Sequence, residues 1–239
     1  MPGPRITVSV VSHRQNALVN QLLGDLARCG EDLAIVLTEN LPDDVAFATS
    51  SVNGPLKIIR NERPRGFGAN HNAAFAHCIT PFYCVANPDI RLTSNPYPAL
   101  LEALAHERAA AAGPLVRSPA GTAEDSARRF PTVASLARKL FVKPSGPDYP
   151  IDRGPLPVDW VAGMFMLFDS KTFRATRGFD EAYFLYYEDV DLCRRLRHSG
   201  YQVLYVPAAE VVHDARRESR RNLALMRHHL WSAVRFLMK

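Results

Sequence analysis

The chain predicts an α/β fold with a mostly parallel central sheet, and two observations carry that reading. Short β-branched apolar runs alternate with amphipathic stretches of helical period through the first half of the sequence, the signature of repeated strand–helix–strand units. Four successive apolar runs also end in clusters of Asn, Ser, Glu, Asp and Arg. In a parallel sheet those ends share one edge, which is where such folds bind ligands.

Taken in order, Ile6–Val11 reads as a buried strand. Residues 16–28 put Leu18, Val19, Leu22, Leu23 and Leu26 on one face of a helix. Leu33–Leu37 and Leu56–Ile59 are the second and third strands, Ala69–Cys78 a helix, and Phe82–Ala86 the fourth strand. A helix is expected over 97–111, then a short strand at Pro114–Val116. The span 117–157 carries Pro119, Pro131, Pro144, Pro147, Pro150, Pro155 and Pro157 and few long apolar runs. It reads as a long connection with one helix near 132–142, expected to form a mobile flap over a site. Val158–Phe168 and Tyr201–Val206 supply further strands, and Arg216–Lys239 a basic amphipathic helix appended to a domain over 1–215.

A chain of 239 residues, 47% of them hydrophobic, can bury a full core. It has no apolar run of about 20 residues to span a bilayer, and no signal-peptide core near Met1. Cys29, Cys78, Cys84 and Cys193 form no CxxC pair or zinc spacing, so reduced thiols in a cytoplasmic protein are expected. A net charge of +5 suits an anionic ligand or membrane surface and gives no case for nucleic acid.

The densest chemical signal is the run from Gly178 to Arg195, GFDEAYFLYYEDVDLCRR. It leads aromatics into Glu188, Asp189 and Asp191 and closes on Arg194 and Arg195. Two readings fit. Acids in a first helical turn and cations in the last complement the helix dipole. Carboxylates at the mouth of an aromatic pocket are also desolvated, which raises their pKa and suits a general base. The strand ends carry Ser12-His13-Arg14-Gln15-Asn16, Thr38-Glu39-Asn40, the stretch Asn61–Asn72, and Asn87-Pro88-Asp89. Each also suits ordinary turns and caps, and Gly66-Phe67-Gly68 does not extend to GxGxxG.

Val8–Ser12, Glu39-Asn40, Gly66–Asn72, Asn87–Ile90, Trp160–Gly163, Gly178–Asp191 and His213 occur in an order that is recognisable. Over about residues 5–215 the chain resembles family 2 glycosyltransferases of the GT-A fold, particularly their rhamnosyltransferase-like branch. The resemblance implies a Rossmann-like three-layer fold. It also implies inverting transfer of a sugar from a nucleotide-diphosphate donor, with dTDP-L-rhamnose the candidate, to a saccharide or lipid-linked acceptor in assembly of bacterial surface polysaccharide or lipopolysaccharide.

It assigns residues as well. Asp89 matches the last acid of a DXD-type element whose first position is here Asn87, and with His213 it would hold Mg2+ or Mn2+. Asp189 matches the general base, and Glu188 would orient the acceptor. Trp160 and Gly163 fall at the acceptor position, where an indole stacks on a pyranose, although a strand Trp also serves simply as core. Ser12, Arg14, Glu39, Arg65, Gly68, Asn70 and Asn87 fall at the donor. Glu39 stands where Asp is usual, and His13–Asn16 replaces a Tyr-Asn pair, so the nucleobase is left open. A cytoplasmic enzyme touching the inner membrane through its C-terminal helix is expected. Two rivals are a sugar-phosphate nucleotidyltransferase, which needs a Gly-rich, Lys-bearing loop that Ser12–Asn16 lacks, and a non-catalytic basic protein binding nucleotide or anionic lipid.

Overall fold

The computed structural model describes residues 3–29, 33–135, 146–214 and 223–239. Its strands are β1 (Ile6–His13), β2 (Leu33–Leu41), β3 (Leu56–Arg60), β4 (Phe82–Ala86), β5 (Ile90–Arg91), β6 (Ala109–Arg117), β7 (Ala127–Arg128), β8 (Leu156–Val158), β9 (Trp160–Val161), β10 (Phe165–Asp169) and β11 (Gln202–His213). The helices are α1 (Asn16–Arg28), α2 (Phe67–Phe75), α3 (Tyr97–Leu104), α4 (Ser170–Ala175), α5 (Glu188–His198) and α6 (Leu223–Met238).

Nine strands form one sheet in the order β3-β2-β1-β4-β10-β6-β11-β5, with β8 beside β11. Strands β3, β2, β1, β4, β6 and β11 run the same way, while β10, β5 and β8 oppose them. The sheet is therefore mostly parallel, as the sequence predicts. β7 and β9 pair separately.

Both faces of the sheet are buried, and side-chain alternation assigns each residue to a face. On one side Ile6, Val8, Val10, Cys84, Ala86, Phe165 and Leu167 meet Val19, Leu22 and Leu26 of α1 and Tyr97 and Leu100 of α3. On the other, Tyr83, Val85, Met166 and Phe168 meet Phe173 of α4, Val190, Cys193 and Leu196 of α5, and Phe236 of α6. Each fully buried side chain of this size is worth about 1.5–3 kcal/mol.

Three sequence expectations need correction. The helix expected over 97–111 stops at Leu104, and Ala109 opens β6. Alanine favours helix, but Ala110, Ala111 and Ala112 are buried within a strand flanked by β10 and β11, so tertiary packing overrides propensity. Arg108, at φ 64°, makes the break. The strand expected over Val158–Phe168 is three strands, β8, β9 and β10, interrupted at Asp159 and over 162–164. The helix near 132–142 starts at Val133, and most of its span lies outside the described residues.

The Pro-rich connection is tied down where it is described. Ser126 accepts the Ala162 N–H at 2.8 Å, and β7 pairs with β9. α6 packs against the domain through Ser232, Ala233 and Phe236, leaving Met226, Leu230, Trp231, Leu237 and Met238 exposed.

Candidate active site

Parallel strands deliver the predicted residues to one edge. β1 ends at Ser12 and His13, β2 at Glu39 to Leu41, and β4 runs into the Asn87-Pro88-Asp89 turn. β11 closes antiparallel on β5, pairing His213 with Ile90, so His213 arrives beside Asp89.

Asp89 Oδ2 stands 3.3 Å from His213 Nε2, and Glu124 Oε2 2.8 Å from His213 Nδ1. Burial alone would push the imidazole pKa down, but hydrogen bonds and charge from Asp89 and Glu124 outweigh it and lift the pKa to about 9. Asp89 Oδ1 is buried without a hydrogen-bond partner among the described residues. A lone pair left bare in this way, beside an imidazole nitrogen, fits a divalent cation of Mg2+ or Mn2+ type. Glu124 fixes the ring by its far nitrogen, the usual support for a metal-binding histidine. Sequence reading missed Glu124, which sits in the connection with no motif around it.

The second half of the site lies at the start of α5. The Asp189 carboxylate accepts the N–H of Gly163 at 2.8 Å on Oδ2 and that of Val190 at 2.8 Å on Oδ1. Burial raises its pKa, while those two N–H groups and the charge of Arg128 hold the rise in check. Glu188 is 5% exposed, with Oε2 unpartnered among the described residues. Burial first, and then the neighbouring Asp189 charge, push its pKa well above the carboxylate range. Both carboxyl groups are thus pushed toward the protonated form, Glu188 further than Asp189, which keeps two N–H donors and the Arg128 charge. Tyr186 and Tyr187, at φ 71° and 67°, deliver them from left-handed backbone that costs a non-glycine residue free energy.

The two halves share one segment. Gly163 donates to Asp189, and its neighbour Met164 accepts the Asn87 N–H at 2.8 Å. A Cβ at Gly163 would lie 3.3 Å from Asp189 Cβ and Oδ2, close enough that the carboxylate would have to shift by a few tenths of an ångström. Gly68 answers to a similar limit, since its Cβ would fall 2.7 Å from Phe179 Cβ and 3.7 Å from Glu188 Cβ.

The residues expected at the donor divide into two groups. Arg14 and Arg65 are exposed at the strand-end edge, and Glu39 receives Arg60 Nε at 3.1 Å. The side chains of Ser12 and Asn70 are committed within the fold. Ser12 Oγ accepts the Gln15 N–H at 3.0 Å. Asn70 accepts from Asn61 at 2.7 Å and donates to the Arg65 carbonyl at 3.1 Å. Asn40 joins that network, binding the Arg65 carbonyl, the Arg65 N–H and Asn61. These amides shape the loop that presents Arg65. Trp160 is likewise turned inward: it is 9% exposed, its Nε1 donates to the Arg129 carbonyl at 3.0 Å, and Arg128 lies 5.4 Å over its ring. Asp191 is fully buried and paired with Arg195 at 2.7 Å and Lys239 at 2.7 Å, a brace between α5 and the C-terminus.

Known proteins share the sequence and the fold. Rhamnosyltransferase WbbL of Escherichia coli K12 is 28% identical over 246 residues, covering 98% of this chain and 93% of its own length. The N-acetylglucosaminyl-diphospho-decaprenol L-rhamnosyltransferase of Mycobacterium tuberculosis is 37% identical over 163 residues, 63% of this chain. That match spans about half, 53%, of the mycobacterial protein. Among solved structures, a mannosyltransferase from Pyrobaculum calidifontis in complex with GDP-Man and Mn2+ superposes with a TM-score of 0.62 at 16% identity, over 98% of this chain and 65% of its own. S. aureus TarS superposes with a TM-score of 0.61 at 13% identity, over 98% of this chain and 40% of its own. The model of the glycosyltransferase-like family 2 matches residues 4–231, and the chain belongs to that family.

Proposed function

We propose that the protein transfers a sugar, L-rhamnose from dTDP-L-rhamnose, with inversion, onto a lipid-linked or free saccharide acceptor during assembly of a bacterial surface polysaccharide or lipopolysaccharide. The observation that carries the reading is the 162–164 segment. It binds the buried Asp189 carboxylate through Gly163 and, through Met164, the Asn87 N–H two residues before Asp89, which pairs with His213. The related E. coli and M. tuberculosis rhamnosyltransferases support the choice of sugar.

In this mechanism Asp189 takes the proton from the acceptor hydroxyl, and the oxygen attacks the anomeric carbon opposite the departing nucleotide diphosphate. Glu188, protonated, donates a hydrogen bond that orients the acceptor. Arg14, Arg65, Glu39 and the Asn87 turn line the donor end, and Gly68 and Gly163 leave room beside the reacting groups. Asp89 and His213 are the residues that would hold a divalent cation, which when bound neutralises charge on the leaving diphosphate. Among the described residues no three His, Cys, Asp or Glu side chains form a ready-made metal site. Phosphate oxygens and water would then complete the shell, so metal and donor bind together.

No helix among the described residues is long and apolar enough to cross a membrane. The enzyme is proposed to work in the cytoplasm, touching the inner membrane through α6. Trp231 (75% exposed), Leu230 (68%) and Met238 (78%) lie on its outer face beside Arg227. Thermal shift with UDP-, dTDP- and GDP-sugars, with Mn2+ and with EDTA, tests the donor and the metal. Stabilisation by dTDP-L-rhamnose with Mn2+ and loss of it with EDTA is expected; no response to any nucleotide sugar would reject the transferase reading. Flotation with anionic liposomes tests the membrane contact, which a Leu230→Ser/Trp231→Ser variant should lose.

A further inference from the structure

Arg128 carries a charge that acts on Asp189, and neither the family motifs nor the sequence singles it out. It faces Trp160 across the β7–β9 pair, with Ala127 opposite Val161. Ser126, two residues earlier, accepts the N–H of Ala162, and the next N–H, that of Gly163, binds Asp189. Arg128 is therefore built into the same local frame as the proposed base.

Its guanidinium is held from two directions. Nε donates to the Asp125 carbonyl at 2.7 Å and lies 2.9 Å from Asp125 Oδ2. One flat face covers the indole of Trp160, 5.4 Å from the ring centroid. These contacts engage Nε and the π face. The two terminal amino groups make no hydrogen bond among the described residues, and the side chain keeps 36% of its exposure. Such a preorganised fork with free N–H groups is matched to an oxyanion such as phosphate. Its charge also reaches Asp189 and Tyr187. The inward-turned Trp160 offers little face for a sugar, so an approaching acceptor meets the cation instead.

Resting on the reading that the acceptor is lipid-linked, we propose that Arg128 binds the diphosphate joining the acceptor's sugar to its lipid carrier. The donor's own diphosphate belongs at Asp89 and His213, across the 162–164 segment. A neutral saccharide has no use for this fork, whereas a sugar diphosphate does, so Arg128 sets a preference for phosphorylated acceptors.

The test compares the full chain with Arg128→Gln and Arg128→Lys, each checked by thermal melt. Transfer from dTDP-L-rhamnose is measured to two acceptors carrying the same sugar: N-acetylglucosaminyl diphosphate on a short isoprenoid, and octyl N-acetylglucosaminide. Arg128→Gln should lower kcat/KM for the diphosphate acceptor at least about tenfold more than for the octyl glycoside, through KM, and Arg128→Lys should recover part of it. Equal losses on both acceptors would overturn the proposal and make Arg128 a positioning residue for Asp189, and no loss on either would also overturn it. Binding of the diphosphate acceptor without donor is measured in parallel. Binding that needs Arg128, in a protein that transfers no rhamnose, would overturn the donor reading and keep this one. Binding unaffected by Arg128→Gln, or absent from the wild type, would overturn this one.

Discussion

Gly163 donates its backbone N–H to Asp189 Oδ2 at 2.8 Å, and a Cβ on Gly163 would meet that same oxygen at 3.3 Å. With the Val190 N–H on the other oxygen, the contact fixes which way the carboxylate faces and opposes the upward push that burial gives its pKa. Asp189→Asn should keep nucleotide-sugar stabilisation in a thermal shift while turnover falls by about 10²–10⁴, the usual cost of removing a general base. Gly163→Ala should melt close to wild type and still lose turnover, because the new methyl displaces the carboxylate. Wild-type turnover in Asp189→Asn would remove the base assignment.

Glu188 gives a pH signature of definite sign. Its folded-state pKa is raised above the unfolded value by burial and then by Asp189. Its contribution to stability is thus fully present below the unfolded pKa and lost as pH rises through the folded one. Gln mimics the protonated form. The Tm of Glu188→Gln relative to wild type should therefore rise as pH is taken from 5 to 9. A pH-independent difference would mean that Glu188 is ionised in the native protein.

Glu124 acts through His213, whose Nδ1 it holds at 2.8 Å. If Asp89 and His213 bind the cation, Glu124→Ala should raise the Mn2+ concentration needed for half-maximal activity by about 10–100-fold, as loss of such a supporting carboxylate does. Glu124→Gln, which can still accept a hydrogen bond, should fall between. An unchanged Mn2+ requirement would leave His213 with a purely structural part.

The strand-end logic was legible because β1, β2, β3 and β4 alternate cleanly and end in polar clusters, and α1 falls on the residues its apolar face predicts. Asp89, His213, Glu188 and Asp189 were named by the order of motifs that the chain shares with the family it resembles. What stayed hidden depends on contacts between distant segments. Glu124 and Arg128 gain meaning only when the Pro-rich connection folds back on His213 and Trp160. Asn70 reads as a ligand-binding amide until Asn61 and Arg65 are seen to occupy it. Local propensity also misled at Ala109–Ala112, where a helix-favouring run is buried in the sheet.

Asp25 shows how support for the strand-end edge at Asp89 reaches into the core. It is 1% exposed, yet accepts from Arg91 Nε at 2.6 Å, from Arg91 Nη2 at 3.0 Å and from the Leu92 N–H at 3.0 Å, and it pairs with Arg28. Burial raises its pKa, but these bonds more than reverse that and hold it below the usual value. Its stabilisation is present above the unfolded pKa and lost as pH falls through the folded one. Arg91 and Arg28 are partly exposed, so the main cost of removing Asp25 is the buried Leu92 N–H left without its acceptor, about 1–3 kcal/mol. Asp25→Ala should thus lower Tm at pH 7 and do so less at pH 3. Arg91 lies two residues beyond Asp89, so the variant should also need more Mn2+; an unchanged Tm at pH 7 would contradict the buried ion pair.

α6 presses on the strained turn ahead of Glu188 and Asp189, the proposed catalytic carboxyls. His229 lies 5.2 Å from the Tyr186 ring and 5.4 Å from that of Tyr187, Phe236 lies 5.6 Å from Tyr187, and Ser232 Oγ donates to the Leu185 carbonyl at 3.0 Å. Left-handed tyrosines persist only where their surroundings over-determine them. Phe236 is 2% exposed beneath Arg194, whose guanidinium lies 3.8 Å above its ring. Truncating such a buried phenylalanine costs about 3–5 kcal/mol. Phe236→Ala should therefore lower Tm, and at a temperature where the variant is still folded it should lose turnover as well, because the turn that aims Glu188 and Asp189 relaxes. Leu230→Ser on the outer face of the same helix should leave Tm, and turnover on a water-soluble acceptor, unchanged. If Phe236→Ala lowers Tm but keeps full turnover while folded, α6 stabilises the domain without holding the catalytic turn.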